Sequence, residues 1–164
     1  MQSKYIKILF FLFLGAIISC TNKPEFADEP TLAYIGLDGN TMTQGSLNSD
    51  FITLLFSLQD GDGDIGVADE ETFLDLILID SRTNDIYDRY KTPLIPMQGS
   101  NNGIEATVQL QVFTTCCLFP ENIPPCSTPT QYPFDTLTLQ LHMFDRAGNM
   151  SNIIETEQII LLCD

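Results

Sequence analysis

Apolar and polar residues alternate with period two along most of this chain, and that pattern constrains its fold more than any other feature. A β-strand sends successive side chains to opposite faces, so such alternation marks half-buried strands. In Phe51–Gln59 the apolar phase is Ile52, Leu54, Phe56 and Leu58. In Gly103–Phe113 it is Ile104, Ala106, Val108, Leu110 and Val112, with Glu105, Thr107, Gln109 and Gln111 facing away. In Phe134–Phe144 it is Leu137, Leu139, Leu141 and Met143, against Thr136, Thr138, Gln140 and His142. Thr72–Asp80 is apolar on both phases, as a central strand is. Thr31–Leu37 reads as a first strand, Ile86–Thr92 as a short edge strand after the turn 81–85, and Ile153–Leu162 as the last. No window carries a 3.6-residue apolar period, and Gly, Asn, Asp and Pro punctuate the gaps.

Seven strands within 164 residues predict one all-β domain over residues 31–164, a single antiparallel sandwich of immunoglobulin-like type. The same alternation also permits another sandwich or a jelly roll. The segment 137–149, an apolar strand running into Asp145-Arg146-Ala147-Gly148-Asn149, resembles the last hairpin of bacterial Ig-like domains. Hydrophobic residues make up 44% and charged ones 18%, enough for a real core. Acids outnumber bases 22 to 7, for a formal net charge of −15. That balance excludes a phosphate-binding surface, so no nucleic-acid partner is expected. It suits cations, or solubility alone.

The first residues carry an address. Lys4 and Lys7 precede the apolar run Ile8–Leu14, which is too short to serve as a permanent membrane span. The run ends in Ile17-Ile18-Ser19-Cys20. This resembles the lipobox of bacterial lipoproteins, in which the Cys becomes lipidated and N-terminal. The resemblance implies a signal peptide over 1–19 and a lipidated Cys20. It further implies a tether over 20–30 and attachment to the cell envelope, at the outer membrane. Glu25, Asp28 and Glu29 form a loose version of the acidic cluster that directs some Bacteroidota lipoproteins to the surface.

The run Asp60-Gly61-Asp62-Gly63-Asp64-Ile65-Gly66 follows a core strand. Calcium takes six to eight oxygen ligands, and glycines let a loop curl so that alternate carboxylates converge. Asp60, Asp62 and Asp64 are therefore expected to bind one structural calcium ion. Asp69, Glu70, Glu71 and Asp145 are candidates to complete its shell. Glu71 sits at the offset of the closing Glu of an EF-hand, but Ile65 occupies the place that motif gives to Gly, and a strand follows where it needs a helix. In an Ig-like sandwich the loops after the second and sixth strands lie at one end, which brings Asp145 and Asn149 towards Asp60–Asp64. The competing reading is a solvated acidic turn. With the lipobox and the Ala-Gly-Asn ending, the loop resembles a recurring pattern of uncharacterised Bacteroidota lipoproteins, a family that implies location and fold rather than activity.

Cys116, Cys117, Cys126 and Cys163 make an even set for an exported chain, hence two disulfides. Of three connectivities, the vicinal one demands a strained ring. The last strand should end beside the start of the sixth, so Cys163 is expected to pair with a cysteine of the 116–126 loop. The two remaining cysteines should pair locally, with Cys126 in one of the bridges. A zinc site lacks its Cys-x-x-Cys pair. Leu118–Pro133 holds five prolines and reads as a long loop that such bridges would staple.

Catalytic motifs are missing: there is no nucleophile elbow and no phosphate loop, and His142, the lone His, sits on a polar phase. The expectation is a non-enzymatic binding or scaffold module of the cell envelope, with an envelope protein or a glycan as partner. A small carbohydrate-active enzyme and an accessory subunit of an outer-membrane complex are the alternatives. Tyr87, Tyr90 and Tyr132 are read as exposed but scattered, which makes no sugar platform.

Overall fold

Strand β3, Phe51–Asp60, is the spine of the domain. The computed structural model describes residues 26–96 and 103–164. Within it Ile52, Leu54, Phe56 and Leu58 are all buried, as their alternation demands. Strand β1 (Thr31–Leu37) and strand β6 (Ile104–Phe113) flank β3 antiparallel, giving a sheet ordered β1-β3-β6. Strands β4 (Leu76–Asp80), β5 (Ile86–Tyr90), β8 (Leu139–Met143) and β9 (Ile154–Glu155) form a second sheet ordered β5-β4-β8-β9. A third sheet joins β2 (Thr41–Thr43), β10 (Ile159–Leu162) and β7 (Phe134–Leu137) in the order β2-β10-β7.

Only Thr138 separates β7 from β8, so the second and third sheets continue one another. At that break side chains take over the backbone ladder: Thr138 N–H donates to Ser81 Oγ at 3.0 Å, and Leu139 N–H to Thr156 Oγ1 at 3.0 Å. One core fills the space against the first sheet, with Phe56, Leu78, Leu139, Leu141, Met143 and Leu161 fully buried. Burying a side chain of this size contributes about 1.5–3 kcal/mol. The fold is the expected all-β sandwich, with no helix among the described residues. One pairing is parallel, β2 on β10; the strand pairs around it are antiparallel.

Several expected boundaries move. Strand β4 starts at Leu76 rather than Thr72, because Asp75 leaves the ladder. Its side chain is buried and accepts Thr92 N–H at 2.7 Å, while its carbonyl accepts Phe144 N–H at 2.8 Å. The bond from Thr92 to the Asp75 side chain takes that residue out of β5, which ends at Tyr90, two residues early. The last two expected strands each split in two, and β2 is additional. Along β6 only Val112 of the apolar phase is fully buried, since β6 is a sheet edge with a neighbour on one side. On the opposite edge the Asn152 side chain stands in for a strand: it accepts Leu32 N–H at 2.7 Å and donates to Leu32 O at 2.9 Å.

The cysteines pair as Cys116–Cys126 and Cys117–Cys163, with Cα separations of 4.6 and 6.0 Å. Cys163 is thus bonded to the 116–126 loop and Cys126 closes the local bridge, as expected. Beside them Arg82 joins three segments. Its guanidinium is ion-paired with Asp80 at 2.6 Å and Asp135 at 2.5 Å and donates to Cys116 O at 3.3 Å.

Candidate metal site

The candidate site starts where β3 ends. Asp60 completes the inward phase of that strand and is fully buried. Its Oδ2 accepts Gly63 N–H at 2.8 Å and Asp64 N–H at 3.0 Å. A side chain that captures amides three and four residues ahead folds the loop into a tight turn, and Gly63 closes it with a φ of +76°. The turn carries Asp64 back under the loop that follows β8. There Asp64 Oδ2 accepts Ala147 N–H at 2.9 Å and its carbonyl accepts Arg146 N–H at 3.2 Å.

Asp145 reaches the same place from that loop. It is buried, and Asn149 holds it from two sides: Oδ1 accepts Asn149 N–H at 2.7 Å, and Oδ2 accepts Nδ2 at 2.8 Å. Gly148, at a φ of +89°, makes this turn possible. Arg146 ties the loops together through main-chain oxygens, donating from Nη1 to Ile65 O at 2.9 Å and Gly66 O at 3.4 Å.

Asp60, Asp64 and Asp145 each offer one carboxylate oxygen within 4.8 Å of the other two. Two oxygens bound at about 2.4 Å to one ion can be no further apart than about 4.8 Å. Asp60 Oδ1 and Asp64 Oδ1 are buried and have no hydrogen-bond partner. Buried carboxylate oxygens are otherwise almost always paired. Burial, then the charge of Asp62, pushes the Asp60 carboxyl up to about 6 from 3.8. Asp64 is raised too, first by burial and then by the charges of Asp145 and Asp62. A bound cation would relieve both effects, since it offers a charge partner where the described residues place none on these oxygens.

The remaining acids named from the sequence do not join this trio. Asp62 is exposed, because the turn made by Asp60 Oδ2 points the intervening residue outward. Asp69, Glu70 and Glu71 are exposed as well. Lys91 Nζ holds their backbone, donating to Asp69 O at 2.9 Å and Glu71 O at 2.8 Å. Cys20 and the signal segment 1–19 lie outside the described residues, as does the tether up to residue 25.

Sequence reasoning brought Asn149 to this site but not its part in holding Asp145, and it missed Arg146. The motif Asp-x-x-Gly-Asn carried the signal, because an Asn four residues after an Asp across a glycine turn can reach back to it. It also misjudged all three tyrosines it read as exposed, since Tyr87, Tyr90 and Tyr132 are each half-buried. Tyr87 donates its hydroxyl to Phe113 O at 2.5 Å, and Tyr90 holds its hydroxyl out of water. Tyr132 packs on Phe119, with ring centroids 6.0 Å apart. His142 lies edge-on to Phe144 at 5.6 Å, and burial pushes its pKa down. A cleft of about 500 Å³, lined by Phe73, Leu74, Ile77 and Arg89 among others, opens elsewhere and takes in none of the three carboxylates. No protein-family model matches this chain, and neither a curated protein nor a solved structure matches it.

Proposed function

We propose that this protein is a non-enzymatic lipoprotein of a bacterial cell envelope, a β-sandwich module whose acidic end is stabilised by a bound calcium ion. One observation carries the cation: Asp60 and Asp64, which cluster with Asp145, each keep a buried carboxylate oxygen without a hydrogen-bond partner. An all-oxygen ligand set suits a hard cation, and calcium accepts irregular loop geometry where magnesium demands an octahedron. The anchor rests on Ile17-Ile18-Ser19-Cys20 behind a basic and apolar leader. The envelope partner, a protein or a glycan, rests on the same address. The ion's role is structural: it ties the loop after β3 to the loop after β8, an end of the sandwich where like charges otherwise meet.

Calcium titration of the protein by calorimetry, with magnesium as comparison, tests the ion. Binding with a dissociation constant of about 10⁻⁴–10⁻³ M is expected, and its loss in Asp64→Asn. Heat identical to that of a buffer blank would leave the loop a solvated turn. Detergent partitioning of Cys20→Ala tests the anchor: the unmodified protein should follow the detergent phase and the variant should leave it.

A further inference from the structure

The chain ahead of β1 rests on the candidate cation site. Ala27 O accepts the N–H of Gly61, the residue directly after Asp60, at 2.7 Å. A Cβ at Gly61 would lie 2.5 Å from Phe26 O and 2.7 Å from Ala27 O. A Cβ at Gly103 would lie 2.7 Å from Asp60 O and 3.0 Å from Phe26 Cδ2. Gly61 is outside the left-handed region that Gly63 and Gly66 occupy, so its missing side chain serves this close approach and not a turn. The segment Phe26-Ala27 therefore sits against Gly61, directly after the residue that carries the buried, partnerless carboxylate oxygen.

We propose that cation binding at Asp60, Asp64 and Asp145 is thermodynamically linked to docking of Phe26-Ala27 on Gly61 and Gly103. The inference rests on the cation reading above. Without the ion, Asp60 and Asp64 repel each other and the loop relaxes by opening, which carries the Gly61 N–H away from Ala27. With the ion, the turn is held in the form that receives the segment. The coupling is reciprocal, so a docked segment must tighten the ion by the factor the ion tightens the segment. Releasing the five residues Phe26–Pro30 lengthens the chain that leads into β1 by up to about 17 Å. The divalent-ion concentration would then set how far the domain stands from whatever holds its N-terminal segment.

The test uses the full chain in detergent. Amide hydrogen exchange at Gly61 is compared in saturating calcium and in chelator, and calcium affinity is measured for the unmodified protein, Gly61→Ala and Phe26→Ala. Slow exchange with calcium and fast exchange with chelator are expected. Affinity should be at least fivefold weaker in Gly61→Ala, and weaker in Phe26→Ala too. Equal exchange in the two conditions overturns the linkage. So does native affinity in Phe26→Ala, even if Gly61→Ala is weakened, because that pattern means local distortion of the loop. Unmodified protein that binds no calcium overturns the cation reading and the linkage together. Binding with unaltered affinities overturns the linkage alone.

Discussion

Replacing Asp60 with Asn should reverse its effect on stability according to whether calcium is present. The Asn carbonyl oxygen can take the place of Oδ2 and accept the amides of Gly63 and Asp64. Its NH₂ group then stands where Oδ1 was, beside Asp64 and Asp145, and can donate to them. In chelator the charge of Asp60 is a liability. Its carboxyl is raised from 3.8 to about 6, so the native state binds a proton more tightly than the unfolded chain. Stability therefore falls as pH rises through that window. At about 1.36 kcal/mol per pH unit the loss is at most about 3 kcal/mol above pH 6. Asp60→Asn removes it, raising the melting temperature in chelator by up to roughly 6–12 °C at neutral pH. In calcium at about 1,000 times the dissociation constant, the unmodified protein gains about 4.1 kcal/mol, more than the at most about 3 kcal/mol that the substitution recovers, and the variant, short of one ligand oxygen, does not gain it. The order of melting temperatures should invert. His142 tilts the other way, because its lowered pKa costs stability as pH falls below 6.5, but it is common to both proteins and cancels. Differential scanning calorimetry of both proteins, at pH 5 and pH 7.5, in calcium and in chelator, measures all of this. A variant less stable than the unmodified protein in chelator at pH 7.5 would refute the argument that the buried charge is uncompensated.

Removing the Cys117–Cys163 bridge with paired alanines should cost about 4 kcal/mol, against about 3 kcal/mol for Cys116–Cys126, because the closed loops span 46 and 10 residues; urea titration ranks them. Gly66→Ala should destabilise far more than Gly148→Ala, although both glycines have φ near +90°. A Cβ at Gly66 lies 2.1 Å from Pro93 O, whereas Gly148 faces open space and should cost only about 1–2 kcal/mol. Arg82→Ala should cost about 3 kcal/mol or more by leaving Asp80 and Asp135 largely buried without their cation, and Arg82→Lys should recover less than half of it, since a point charge cannot replace the fork; chemical denaturation reads both.

The first sheet was legible because β3 obeys one rule for ten residues, and a half-buried strand is what period two encodes. Strand ends were less legible, because side chains settle them. Asp75 capturing Thr92, and Ser81 and Thr156 standing in for the ladder at Thr138, are contacts between distant segments that no local window contains. Strand β2 was invisible for a similar reason: three residues form it only because β10 lies alongside. The candidate site divides along the same line. Loop composition pointed to Asp60 and Asp64, and sandwich topology to Asp145. Whether Asp62 faced in or out hung on a single hydrogen-bonded turn, to which the alternating Asp-Gly pattern is blind.

The parallel pairing of β2 with β10 has a mechanical consequence. A pull applied at the N-terminal side of β2 and at the C-terminal side of β10 draws the two strands past each other along their length. The hydrogen bonds between Thr41–Thr43 and Ile160–Leu162 are then loaded together, in shear, rather than opened one at a time. Traction applied at Cys163 passes through its bridge into Cys117, and the 46-residue span behind it cannot extend. Under tension the sandwich would yield from its N-terminal strands, while the half that carries Asp145 keeps its length.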